Sequence, residues 1–284
     1  MQLIVLGMHR SGTSIAARIL NLLGCYFAPE ALAVGGNDEN PKGFWERLDV
    51  VDLNDSMLHA AGAVWHSPLA FDPLALPEER ALRFNSTAGL ILRDLDMHRP
   101  WFLKDPRLCL TVPLWQPLLE APLAVHVLRH PLEVAASLQA RNALPIPVGL
   151  ALWEIHVRRA LAGSAVWPRV VVHHKQLMAD TVPSVTQLLG HLEAAGVTGL
   201  RMPEEQEITD FVTAILYRQR ADREDLRTWA DAPQVRLFHR LEADITALDG
   251  EPCEFTMETL QAISAHEAAR VAAGREAQAT TPVS

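Results

Sequence analysis

The chain has 284 residues, 49% of them hydrophobic, with a formal net charge of -9 at pH 7. That size and apolar fraction fit one large α/β domain with a sizeable core. The acidic balance excludes a general nucleic-acid binder, which needs a basic surface to neutralise phosphates, but leaves room for a local basic pocket.

The three cysteines, Cys25, Cys109 and Cys253, have neither the CxxC spacing of a zinc site nor the density of a disulfide scaffold. Reduced thiols and a cytoplasmic location are the expectation. The N-terminal MQLIVLG lacks the length and basic flank of a signal peptide. No stretch reaches the roughly 20 apolar residues that span a bilayer.

In chain order, residues 3–6 read as a short buried strand that runs into a turn. A helix follows from Thr13, with Ile15, Ile19, Leu20 and Leu23 on one side and Gly24 as its stop. Residues 28–43 read as a loop, and helical patterns return over 46–59 and 78–96. Three further strands are predicted at 101–104, 123–128 and 169–173, with helical segments at 132–139, 148–161 and 182–195. Strands separated by helices imply right-handed crossovers and a parallel sheet covered on both faces. Beyond residue 200 the pattern is helical, near 204–219, 234–248 and 255–274, and the tail from 276 reads as frayed. We expect a single domain, with a core over about 1–200 and a helical C-terminal extension.

The segment Gly7-Met8-His9-Arg10-Ser11-Gly12-Thr13-Ser14 lies between the first strand and the first helix, where a phosphate loop belongs. Glycines let the backbone curl so that N–H groups converge on an anion, and the helix dipole adds to the attraction. A nucleotide-triphosphatase loop carries lysine after its last glycine. Here that position is Thr13, and the cation sits within the loop as Arg10, whose planar fork binds phosphate or sulfate without a metal. The alternative is an ordinary glycine turn with Arg10 in solvent.

A second candidate lies at the end of the third strand. Arg129 closes the strand, Pro131 fits the first turn of the next helix, and Ser137 follows on that helix. Together the arginine and serine can grip one phosphate. Separately they read as a solvent arginine and a helix-surface serine.

The segment Trp101-Phe102-Leu103-Lys104-Asp105-Pro106-Arg107 is an apolar strand that ends in a charge cluster, and strand C-terminal ends are where open parallel sheets bind ligands. A structural salt bridge among Lys104, Asp105 and Arg107 is the competing reading, and the preferred one for Asp105 and Arg107. In Asn40-Pro41-Lys42-Gly43-Phe44-Trp45-Glu46, the two aromatics can desolvate the glutamate and raise its pKa. Glu46 equally suits the opening of a helix, where acidic residues are favoured.

HRSGTS resembles the 5′-phosphosulfate loop of sulfotransferases that use 3′-phosphoadenosine-5′-phosphosulfate (PAPS). The Arg-x-Pro-x5-Ser pattern resembles their 3′-phosphate motif. KDPR is similar to a motif of carbohydrate and tyrosylprotein members, and NPKGFWE to the bacterial branch. The resemblance covers residues 1–60 and 100–178. It implies a three-layer fold like that of P-loop NTPases, PAPS as cosubstrate and 3′-phosphoadenosine-5′-phosphate (PAP) as product. It also implies no metal and a hydroxyl acceptor, either a carbohydrate or a small metabolite. Arg10, Ser11, Gly12, Thr13 and Ser14 would hold the 5′-phosphosulfate, and Arg129 and Ser137 the 3′-phosphate. Lys104 would approach the bridging oxygen of the leaving phosphate. Glu46 would be the base, with Glu39 and His9 as alternatives.

The resemblance thins where the family has Tyr-Glu-Asp-Leu, since this chain has His173-His174-Lys175-Gln176-Leu177 after Val172. The RKGxxGDW motif of the hormone-type branch is absent. Tyr217-Arg218-Gln219-Arg220 supplies cations near that point or forms a solvated helix end. A P-loop kinase and a non-catalytic nucleotide-binding protein are the alternative readings.

Overall fold

The computed structural model describes residues 1–36, 43–211 and 224–279. Four strands form the sheet: β1 (Gln2–Leu6), β2 (Trp101–Lys104), β3 (Pro122–Leu128) and β4 (Arg169–His173). They lie in the order β2-β1-β3-β4, and every pairing is parallel. Ile4 stands beside Leu103 on one side and Ala124 on the other, and Leu128 stands beside His173. Parallel strands buried on both faces read as continuous apolar runs, which is how QLIVL and PLAVHVL read.

The period-two alternation of the strands divides the interior into two cores. Ile4, Leu6, Leu103 and Leu128 face a large core filled from α2 (Leu48–Ala60), α3 (Glu78–Asp96), α4 (Leu108–Trp115), α5 (Pro131–Asn142) and α6 (Ile146–Gly163). Leu3, Val5, Phe102, Val125 and Val170 face a second core built with α1 (Thr13–Leu22) and α8 (Thr181–Ala194). The result is an α/β protein with its parallel sheet sandwiched between helical layers.

The chain leaves β1 towards β2 on one side and later places β3 on the other. The order therefore reverses at β1, and the crevice beyond its carboxyl end is where such sheets take ligands. The phosphate-loop candidate, Lys104 and Arg129 all leave the sheet at that end.

The four predicted strands are present within one residue of their expected bounds. The sequence reading missed α4, because Leu108, Cys109, Leu110, Thr111 and Val112 are all buried and the helix shows no polar face. It also missed α7 (His174–Ala179), a six-residue helix too short to show a period. The expected helix over 234–248 stops as α10 (Pro233–Ala243), where Asp244 turns extended and its carboxylate accepts from the Thr246 N–H and hydroxyl. Of the tail expected to fray from 276, residues 276–279 belong to α11 (Met257–Ala279) and the remainder lies outside the described residues. Of the helix expected over 204–219, α9 (Glu205–Phe211) is described and the remainder, with Tyr217 to Arg220, lies outside the described residues.

The C-terminal helices are pinned by one carboxylate. Glu154 of α6 is fully buried and accepts from Arg158, Gln234, the Thr256 N–H and hydroxyl, and Thr259. A buried charge persists only when donors surround it in this way.

Candidate functional site

The loop between β1 and α1 is shaped by two left-handed residues, Arg10 at φ 70° and Gly12 at φ 90°. Gly12 is glycine for a second reason: a Cβ there would lie 2.3 Å from His174 Cδ2. Its carbonyl opens the helix by accepting from Ile15 and Ala16 N–H at 3.0 and 3.1 Å. No side chain caps α1 and no acidic residue occupies its first turn, so the positive end of the helix is left for an anion.

The two candidate segments, residues 7–14 and 129–137, meet. Arg10 Nε donates to Ser137 Oγ at 2.9 Å across 127 residues of sequence. Arg129 Nη1 donates to the Arg10 carbonyl at 2.7 Å, so the second segment holds the backbone of the first. Arg129 is buried, its Nε donates to Glu133 at 2.9 Å, and its own carbonyl accepts from Trp153 Nε1. Glu133 was not foreseen, although its spacing of four residues from Arg129 on a helix start is a legible signal. Ser11 and Thr13 are buried in the loop.

Lys104 and Glu46 also meet. The Lys104 ammonium donates to the Glu46 carboxylate, to the Phe44 carbonyl at 3.0 Å and to Ser14 Oγ at 3.3 Å. The last contact ties the end of β2 to the phosphate loop. Burial pushes the Glu46 pKa up, against the opposing pull of the Lys104 charge. Arg47, clamped to Asp49 and Asp94 at 2.9 and 2.7 Å, fixes the backbone next to Glu46.

In the charge cluster after β2 the salt-bridge reading preferred for Asp105 and Arg107 is seen, and Lys104 stands outside it. Asp105 is fully buried and pairs with Arg107 at 2.9 Å, and Arg107 reaches Asp55 at 2.5 Å. Lys104 turns away to Glu46, because successive side chains at a strand end diverge. Asn54 Nδ2 donates to Asp105, while its Oδ1 accepts from Thr111 and from Trp115 Nε1. Nothing in the sequence signalled that network.

His9 lies in the loop between Met8 and Arg10, and its ring packs against Trp65 at a tilt of 31° and a centroid distance of 4.2 Å. His173 ends β4 half-buried, while His174 opens α7 and packs against Gly12. Burial, then the nearby Arg129 charge, depresses the His174 pKa to about 3. Among the described residues no group of three His, Cys, Asp or Glu could hold a metal, and no helix is long and apolar enough to cross a membrane. Glu39, the alternative base, and Asn40 to Lys42 lie outside the described residues.

No protein-family model matches the chain, and no curated protein matches it. Among solved structures, it is similar to the sulfotransferase domain from the Synechococcus PCC 7002 olefin synthase. That similarity spans 94% of each chain at 16% identity, with a TM-score of 0.45. A likeness of that size identifies neither family nor activity.

Proposed function

We propose that the chain is a sulfotransferase, acting as a single domain in the bacterial cytoplasm, that moves the sulfuryl group of PAPS to an acceptor hydroxyl on a carbohydrate or small metabolite. The observation that carries this reading is the meeting of Arg10 with Ser137 and of Arg129 with the Arg10 carbonyl. Two phosphate-binding motifs joined at the switch point suit a nucleotide with anionic groups at both its 5′ and 3′ positions. The residues fit such a group: an uncapped helix start, a glycine with no room for a Cβ, and two arginines.

In this reading Ser11, Gly12, Thr13 and Ser14 donate to the 5′-phosphosulfate, with Arg10 beside them. Arg129 and Ser137 receive the 3′-phosphate, which competes with Glu133 for the Arg129 guanidinium. The acceptor oxygen attacks sulfur in line with the bridging S–O bond, which breaks with its electron pair passing to PAP. Lys104, already within reach of Ser14, moves its ammonium to that bridging oxygen and offsets the developing charge. Glu46 holds Lys104 beforehand and, once released, is the carboxylate that the sequence resemblance names as base.

Calorimetric titration with PAP and with ADP, each with and without magnesium, tests the reading. Tight, metal-independent binding of PAP with weak binding of ADP is expected; a magnesium-dependent preference for ADP overturns it in favour of a phosphotransferase. A second prediction concerns Arg129. Arg129→Gln should weaken PAP on the order of 10²-fold, since losing a buried charged partner costs about 2–5 kcal/mol. It should weaken adenosine 5′-phosphosulfate, which has no 3′-phosphate, far less. Equal losses for the two ligands would remove Arg129 from the 3′ site.

A further inference from the structure

Val64 and Ser67 close a tight turn through two backbone hydrogen bonds, with Trp65 and His66 between them. The two middle side chains go separate ways. Trp65 packs against His9 in the first loop. His66 turns to α11, where its Nδ1 lies 3.4 Å from Nε2 of His266. One residue further along both segments, Ser67 Oγ donates to Glu267 at 2.8 Å, and Ser67 is buried. The turn over residues 64–67 thus clasps α11 at two successive positions.

Rings are in contact all the way from α11 to the first loop. Centroids are 5.6 Å apart for His266 and His66, 5.0 Å for His66 and Trp65, and 4.2 Å for Trp65 and His9. The first two pairs meet edge to face, at 68° and 82°. This packed row ends on the residue before Arg10, so a shift of α11 reaches the loop through side chains.

The contact between the two histidines depends on their protons. When both rings are neutral, an N–H of one donates to the lone pair of the other. One added proton preserves that hydrogen bond. With a second proton both facing nitrogens are donors, and two positive charges stand 3.4 Å apart. Arg270, one turn along α11 from His266, brings a third cation to this face. Glu267 is the carboxylate beside the pair, and Ser67 already holds it.

Burial first, then His266 and Arg270, lower the His66 pKa. Burial first, then Arg270, lower that of His266 against the opposing pull of Glu267. A histidine whose pKa is lowered by folding contributes its full stability above its ordinary value of 6.5. That contribution is lost as the pH falls below 6.5 towards the lowered values.

We propose that the contact of His66 with His266 is an acid-released latch. Protonation of both rings frees α11 from the 64–67 turn and loosens the first loop through Trp65 and His9. The latch stands on these contacts whatever the loop binds. Only its effect on PAP rests on the sulfuryl-transfer reading above.

NMR titration of the histidines tests the pairing. The two should take up their protons in separate steps, the second below 6.5. Either histidine left alone by a Phe substitution should titrate in one step, above that second value. Independent titration of the two rings overturns the proposal.

Hydrogen exchange tests the release, with α8 as internal reference. At about one pH unit below 6.5, protection of the α11 amides around His266 should fall by up to about 10-fold for each histidine. Amides of residues 8–14 should lose protection with them. In His66→Phe/His266→Phe the rings still pack but take up no proton, so both falls should vanish. Should that pair of substitutions disturb folding, His266→Gln, at the more exposed of the two rings, should lessen both falls. Protection that α11 keeps in acid, or loses equally in the variants, overturns the latch. Loss confined to α11, with residues 8–14 unchanged, overturns the link to the loop.

PAP affinity should fall more steeply with acid in the unsubstituted protein than in the double variant, and equal slopes overturn that link as well. If PAP binds at no pH, the sulfotransferase reading fails, while the exchange results still decide the latch.

Discussion

Lys104→Met should lower the rate of sulfate transfer from PAPS by about 10²–10³-fold, the usual loss when one preorganised electrostatic contact to a transition state is removed. PAP should still bind, because the anion contacts from the loop and from Arg129 remain. The substitution has a second effect that must be separated from the first. Lys104 and Glu46 form a buried ion pair, with side chains 2% and 11% exposed. Removing one partner of such a pair costs about 3–5 kcal/mol, because the other charge is left without compensation. The Lys104 charge is also what opposes burial in setting the Glu46 pKa, so the carboxyl should titrate still higher in the variant. The double variant Lys104→Met/Glu46→Gln isolates the chemistry: stability by urea unfolding should return while turnover stays low. Recovery of turnover along with stability would show that Lys104 only braces the fold.

A stability loss as large as that of Lys104→Met should come from Glu154→Ala. This carboxylate gathers donors from α6, α10, α11 and the segment leading into α11. Arg158 is partly open to water and can resolvate, but Gln234 and Thr259 are buried and cannot. Orphaned buried donors and a new void together place the loss on the order of 3–5 kcal/mol. Glu154→Gln should cost less, since its amide oxygen still accepts. The midpoint of urea unfolding reads both variants, and a shift no larger than that of a surface substitution would show that the C-terminal helices are held elsewhere.

What the sequence disclosed follows a physical pattern. Runs such as LIVL and WFLK end in glycine or charge, so strand positions were legible to within a residue. The tight turn between β1 and α1 was legible too, because Gly7, Arg10 and Gly12 are local backbone chemistry. Contacts across long separations were not. That Lys104 meets Glu46, 58 residues away, and that Arg10 meets Ser137 depend on the crossover connections bringing distant segments to one sheet end. α4 escaped because an entirely buried helix has no polar face to set a period. Asn54, Trp115 and Trp153 looked like ordinary interior or surface residues, and only the fold shows that their polar atoms close networks beneath the site.

Arg129 does two things with one guanidinium: it holds the carbonyl of Arg10 and, in the proposed complex, the far end of the nucleotide. An anion that settles on Arg129 therefore also stiffens the turn that receives the other end. Such sharing is thermodynamic linkage, and linkage is reciprocal. The nucleotide cut into two fragments, one carrying each anionic group, should bind cooperatively, each half raising the affinity of the other without touching it.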